Sequence, residues 1–321
     1  MAFIPGTPYA LITEKKGRLM FWEDGGAVRE VGGVPQVDYG GQGGLGDVAL
    51  SPNFAEDGLV YLTWAEAGPN DTRGAVAGRA RLQLGESPRL GPIDIFWRQS
   101  PKVAGRGHYS HRLAFSPNGA ELFIASGERQ KMQPAQDPAS DLGKIFRFGT
   151  GNPDRVTDVR DMVSMGHRNI LGLAFDGQGR LWSLEHGPAG GDELNLIHEG
   201  GNYGWPVVSN GDHYDGKAIP RHATHPEFAA PALSWNPVIA PGGMIVYRGD
   251  LFPEWRGQAV IAALGAQGLV RVAIDGDKAR EIARYSLGNR IRAIAEREDG
   301  SIWLLEDGVN ARLLKLTPRA P

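Results

Sequence analysis

Four segments of this 321-residue chain set polar side chains directly before a short apolar strand with a central alanine: GQGGLGDVAL (41–50), GHYSHRLAF (107–115), GHRNILGLAF (166–175) and GNRIRAIAE (288–296). Histidine is the side chain that exchanges protons near neutral pH, and arginine is the one that grips flat anions through two parallel donors. The same structural position therefore carries proton-transfer and anion-binding chemistry in several places. Arg290 and Arg292 stand two apart, so on a strand they share a face. Arg168 and Asn169 are neighbours that point oppositely on a strand, so both reach one object only from the loop that enters it. His108 and His111 form an HxxH pair, but three residues apart on an extended chain their rings face opposite ways, which argues against zinc.

The elements that must position these residues repeat. LAFSPNGAELFIASGE (113–128) and LAFDGQGRLWSLEHG (173–187) share an apolar strand, a glycine turn, a second apolar strand and a terminal glutamate. VALSPNFAEDGLVYLTWAE (48–66) and AIAEREDGSIWLLEDG (293–308) follow the same plan. Their alanines, Ala49, Ala114, Ala174 and Ala295, lie 65, 60 and 121 residues apart, and GGMIVYRGDLFPEWRGQAVIAALG (242–265) fills the long gap. With 46 glycines, 22 prolines and hardly a helical period, the chain is expected to be all-β. An antiparallel unit of this period repeated around a ring predicts a six-bladed β-propeller, one domain over residues 1–321. For that ring to close, PYALITE and GRLMFWE should share a blade with the final ARLLKLTP. Polar residues that precede inner strands would then converge on one axial pocket.

Composition excludes several classes of function. Apolar residues make up 41% and charged ones 22%, and no run approaches the roughly 20 apolar residues of a bilayer helix, so no membrane span is expected. The net charge of −3, from 34 basic and 37 acidic residues without a basic stripe, argues against nucleic acid. The absence of cysteine removes disulfides, thiolate catalysis and cysteine-ligated zinc. GQGGLG (41–46) satisfies a dinucleotide-binding pattern, but a strand follows it where such a site needs a helix.

Taken together, GQGGLGDVALSPNF, HYSHRLAF, MGHRNILGLAFD, EHGPAGGDELNLIHEGGNYGWP, SWNPVIAPGGMIVY and RIRAIAEREDGSIWLLED resemble the soluble quinoprotein sugar dehydrogenases, the glucose/sorbosone and aldose sugar dehydrogenase family. HRN followed by EHGP and NYGWP is the specific combination, and the match runs along most of the chain. The resemblance implies a six-bladed propeller that oxidises the C1 hydroxyl of aldoses to aldonolactones. Its cofactors are pyrroloquinoline quinone (PQQ) and Ca2+, an external acceptor takes the electrons, and the periplasm is the implied compartment, although the N-terminus MAFIPGTPYALITEKKG carries no visible signal peptide. It assigns His108 as the base and Glu128 as the carboxylate that orients it. Arg168 and Asn169 go to the quinone oxygens, Arg168 also stabilising charge that develops there. His186, Arg290 and Arg292 become cofactor contacts, and Trp235 either a cover for the ring and part of the sugar platform or, equally, a core residue. Gln42 is placed on the substrate, and the carbonyls of Gly187 and Pro188 on calcium, a cation that prefers hard oxygen donors. Asp192 and Glu193 could complete a separate structural calcium site, but on a strand they face opposite ways, so they are not counted as ligands.

Two positions depart from the better-studied glucose enzymes of that family. A lysine beside the quinone is replaced within AALGAQG by Gly265, with Gln267 nearby, and an acidic residue before the base is Gly107 here. Both bear on substrate preference and cofactor affinity. Two other readings of such a chain are a calcium-dependent lactonase-like hydrolase and a non-catalytic sugar- or protein-binding propeller. The tricarboxylate-binding arginines count against the first, and His108 beside HRN and RIR against the second.

Overall fold

The computed structural model describes residues 1–150 and 160–318, which divide into two compact units, Met1–Val163 and Ser164–Pro321. Strands and turns account for nearly all of it. The one α-helix, Phe54–Asp57, and three short 3-10 turns are the helical structure among the described residues.

In the first unit, Ala2–Phe3, Tyr9–Glu14, Arg18–Glu23 and Val28–Glu30 form one antiparallel sheet. Leu45–Leu50, Leu59–Ala67 and Arg73–Gln83 form a second, whose last strand also pairs with Arg89–Leu90 and Asp94–Arg98. Ser110–Phe115, Glu121–Ser126, Lys144–Gly149 and Arg160–Met165 belong to a third. In the second unit the fourth sheet holds Ile170–Phe175, Leu181–Glu185, Asp192–Leu196 and Leu233–Trp235, and the fifth Pro241–Val246, Ala259–Ala263, Gly268–Asp275 and Lys278–Ser286. The sixth holds Ile291–Glu296, Ile302–Glu306 and Leu313–Leu316. The chain is all-β with six sheets, as its period implied. The expected shared sheet of first and last strands is not found: PYALITE and GRLMFWE build a sheet with their own flanking strands, and ARLLKLTP ends the sixth by pairing with Ile302–Glu306. Two good outer strands, Ala2–Phe3 and Val28–Glu30, satisfy the N-terminal hairpin locally.

Apolar clusters lie between consecutive sheets within each unit. Tyr61 meets Phe115 edge-on at 5.0 Å and Phe96 meets Phe148 at 5.6 Å, tying the second sheet to the third; such pairs add about 0.5–1.5 kcal/mol beyond area burial. Trp182, Leu184 and Leu194 pack against Met244, Ile261 and Val270 across the fourth and fifth sheets. Strands buried on both faces, such as Leu181–Glu185 and Ala259–Ala263, are the result.

One irregularity recurs at the place where the sequence puts its polar residues. The first strand slips register at Leu45/Val48, Ser110/Leu113, Ile170/Gly172, Pro241/Gly243 and Ile291/Ala293, in five of the six sheets. A bulge of this kind bends a strand and re-aims the side chains around it. The fifth sheet's bulge lies so close to the sixth that a Cβ on Gly242 would sit 2.6 Å from the carbonyl oxygen of Ile291, so only glycine fits there.

Candidate functional site

In the first unit, the turn that leads into Ser110–Phe115 carries His108, whose imidazole is largely buried beside the fully buried carboxyl of Glu128. His108 Nδ1 is hydrogen-bonded to Glu128 Oε1. With the carboxylate ionised and the ring neutral, Nδ1 carries the proton of this bond and the lone pair lies on Nε2. The second carboxylate oxygen accepts the Met132 N–H at 2.6 Å, which fixes the carboxyl plane. Gln42 is exposed and its Oε1 accepts the backbone N–H of His108 at 2.7 Å. Gly107 is crowded: a Cβ there would come within 2.2 Å of Gln130 Oε1, so the volume that an acidic side chain would take is filled by Gln130.

The backbone through His108 and His111 is not extended, against the expectation drawn from their spacing. His108, Ser110 and His111 have φ of 46°, 61° and 71°, all left-handed. His111 is buried and stacks on Tyr109 at 5.1 Å, and neither of its ring nitrogens has a hydrogen-bond partner. Burial, followed by the charges of Arg129 and Arg112, lowers its pKa to about 3. It is a neutral core residue. No group of three or more histidine, aspartate or glutamate side chains placed to hold a metal occurs among the described residues.

In the second unit, the loop before Ile170–Phe175 holds His167, Arg168 and Asn169, all buried. Arg168 Nη1 donates to the His186 carbonyl at 3.2 Å and Nη2 to the Tyr214 hydroxyl at 3.4 Å, with the guanidinium 5.2 Å from the Trp205 ring. Its Nε is buried with no partner, a donor pointing at nothing in the protein. Beneath it, Glu185 organises the loop, accepting from the Arg168 backbone N–H at 2.7 Å, from His167 Nδ1 at 3.0 Å and from Asn195 Nδ2 at 3.2 Å. The Ser164 hydroxyl completes this chain on His167 Nε2 at 2.8 Å. Sequence reasoning missed His167 and Glu185 as a pair. The signal was present in the repeat: Glu185 and Glu306 end a second strand and Glu128 lies two residues beyond one, and each takes a hydrogen bond from a residue just before the first strand of the same sheet, His108, His167 or Asn289.

The EHGP turn follows. His186 Nε2 lies 2.7 Å from the Pro241 carbonyl, to which it donates. Asp192 accepts the Gly187 N–H at 2.9 Å and the Ala240 N–H at 2.7 Å, one on each oxygen, and so clamps the turn to the start of the fifth sheet. Burial raises its pKa. Glu193 sits directly across from Glu185, and burial, reinforced by that neighbour's charge, pushes its carboxyl well up. The carbonyl oxygens of Gly187 and Pro188 accept no hydrogen bond among the described residues.

Arg290 and Arg292 do lie on one side, because their Nε atoms reach the two oxygens of Asp307, at 3.1 and 3.0 Å. Burial of Asp307 works upward on its pKa, but the hydrogen bonds and charges of Arg292 and Arg290 outweigh it and hold the carboxyl below its usual range. Both guanidiniums remain substantially exposed. Of the two readings of Trp235 the structure matches core packing: it is buried in the cluster with Trp182 and Ile261, and its indole N–H donates to Glu281 at 2.7 Å. Gly265 leaves no room for a lysine, since a Cβ would lie 2.9 Å from the Ile239 carbonyl oxygen.

An all-β chain of six sheets, with a histidine held by a carboxylate and a set of arginines at strand entrances, has the build of a propeller oxidoreductase. Comparison with known proteins agrees. The Glucose / Sorbosone dehydrogenase family model matches residues 1–315. An aldose sugar dehydrogenase of Escherichia coli, YliI, is 35% identical over 99% of this chain and 89% of its own. The solved soluble aldose sugar dehydrogenase from Escherichia coli, in its apo form, superposes with a TM-score of 0.89 at 34% identity, covering 99% of this chain and 95% of that one. The PQQ-bound aldose sugar dehydrogenase of Streptomyces coelicolor superposes at 0.78 with 28% identity, over 98% and 92% of the two chains. The fold is a six-bladed β-propeller, and the chain belongs to the glucose/sorbosone dehydrogenase family of oxidoreductases.

Proposed function

We propose that this protein is a single-domain, PQQ- and Ca2+-dependent aldose dehydrogenase that converts the C1 hydroxyl of an aldose to an aldonolactone and passes electrons to an external acceptor. The buried His108–Glu128 pair, in a chain of this family, is the observation that carries the reading. The quinone, when bound, supplies the hydride acceptor for the sugar's C1–H. His108 Nε2 takes the hydroxyl proton, and Glu128 keeps the ring in the required tautomer and stabilises the imidazolium that forms. Gln42 holds the backbone of the base through Oε1, which leaves its amide N–H2 for a sugar hydroxyl.

The residues of the second unit suit the cofactor. A flat tricarboxylate with two quinone oxygens calls for fixed, planar donors, and Arg168 presents an unpartnered buried Nε, with Arg290 and Arg292 adding two cations against the single charge of Asp307. Arg168, Asn169, His186, Arg290 and Arg292 are the proposed cofactor contacts. Gly187 and Pro188 offer two unengaged carbonyl oxygens of the kind calcium takes. Trp235 is left out, because its ring and N–H are used in the core. A periplasmic setting follows the family resemblance, and no helix among the described residues is long and apolar enough to cross a membrane.

His108→Ala tests the base. It should bind the quinone as the parent does and lose about 10²–10⁴-fold in turnover, the usual worth of a general base. Unchanged turnover would remove His108 from the mechanism.

A further inference from the structure

We infer that Arg129 is a positioning residue for the base, an inference that rests on reading His108 as that base. Arg129 is fully buried one residue after Glu128, yet its guanidinium forms no ion pair among the described residues. All three of its nitrogens donate instead to backbone: Nε to the Gly107 carbonyl at 2.8 Å, Nη2 to Gly105 at 2.6 Å and Nη1 to Arg73 at 2.7 Å. The plane lies 3.6 Å from the Tyr109 ring centroid, and the Arg129 backbone N–H donates to the His108 carbonyl at 3.1 Å. One side chain thus grips the two carbonyls just before His108 and the aromatic ring just after it.

The grip is needed because the turns it joins are strained. Of the ten non-glycine residues with left-handed φ among the described residues, six lie in the stretches 108–111 and 129–132, His108 and Arg129 among them. Such conformations persist only where surrounding contacts hold them, and they gather where geometry serves function. The two turns also cross closely, since a Cβ on Gly127 would come within 2.0 Å of the His108 carbonyl oxygen. Burying a cation without a counterion is costly; burial, only partly offset by the nearby acidic groups, pulls the Arg129 pKa down to about 10. A lysine could not replace it, because one ammonium on a shorter reach cannot donate in a fixed fork to three carbonyls.

The test uses the full chain loaded with PQQ and Ca2+, an aldose and a dye acceptor, and compares Arg129→Lys and Arg129→Met with the parent. Displacing the base by about an ångström predicts a fall in kcat of about 10²-fold, with the aldose KM and the quinone affinity unchanged. A second readout needs no turnover: the downfield imidazole N–H proton of the His108–Glu128 contact in the apoprotein, assigned by its loss in His108→Ala, should vanish or broaden in Arg129→Met. Should the parent oxidise no aldose, that resonance still reports on Arg129, so failure of the functional reading and failure of this inference are separable. Variants that keep both the resonance and kcat overturn the inference. So does a loss of kcat that comes only together with lowered melting temperature and quinone affinity.

Discussion

At position 111 an imidazole is enclosed with both nitrogens unpartnered, and burial holds it neutral down to about pH 3. The unfolded chain protonates the same ring near pH 6.5. Between those values the unfolded state binds a proton that the folded state refuses, so stability falls as pH drops through this window. The slope is at most about 1.4 kcal/mol per pH unit. His111→Phe keeps the stack on Tyr109 and removes the buried polar atoms; it should be more stable than the parent in urea at pH 7, by a margin that widens at pH 5. A margin independent of pH would show that His111 does not titrate this way. At this scale the sequence was informative about residue type and poor about direction. His108, Arg168 and Arg290 suggest proton and anion chemistry by their type, but the left-handed turns at 108–111 were not legible, because non-glycine residues there carry no local signature. Trp235 was ambiguous for a related reason, since an indole suits a core and a sugar platform equally.

At the scale of elements, two devices repeat: a bulge near the start of the first strand and a glutamate at or just beyond the end of the second. The glutamates were visible in the repeat, and their partners follow from it once the pairing of strands is known, as His108 with Glu128 and His167 with Glu185 show. The bulges were not visible, because a register slip depends on how the neighbouring strand pairs rather than on the local pattern. The EHGP turn depends on Asp192, which caps Gly187 and Ala240. Asp192→Ala orphans two backbone N–H groups, each worth about 1–3 kcal/mol when buried, and should lower stability in urea by several kcal/mol and weaken Ca2+ binding. Retained calcium affinity in a destabilised variant would separate the turn from the metal. Arg290 and Arg292 share the Asp307 carboxylate and stay exposed. Replacing both by alanine should weaken quinone binding by about 10- to 100-fold, some 1.4–2.8 kcal/mol, and affinity within twofold of the parent would exclude them from the pocket.

For the whole molecule, the period of the alanines was enough to anticipate six sheets, and glycine and proline usage enough to anticipate all-β structure. Where the ends belong was misread. Ring closure is a property of the assembled sheets, whereas the N-terminal hairpin finds its outer strands within its own first 30 residues. Of the two departures noted in the sequence, Gly265 is held by the backbone, since a Cβ there would meet the Ile239 carbonyl, whereas at Gly107 the volume is taken by the end of the exposed Gln130 side chain. An effect of Gly107 on substrate preference is therefore tied to where Gln130 lies, and of Gly265 to the local path of the chain. The most direct measurement is to titrate the purified protein with PQQ in the presence of Ca2+, following the quinone absorbance, and then to add an aldose with a dye acceptor. The account predicts stoichiometric binding, bleaching of the oxidised quinone on addition of sugar, and dye reduction that a calcium chelator abolishes. Failure to bind the quinone, or a bound quinone that no aldose bleaches, would contradict it.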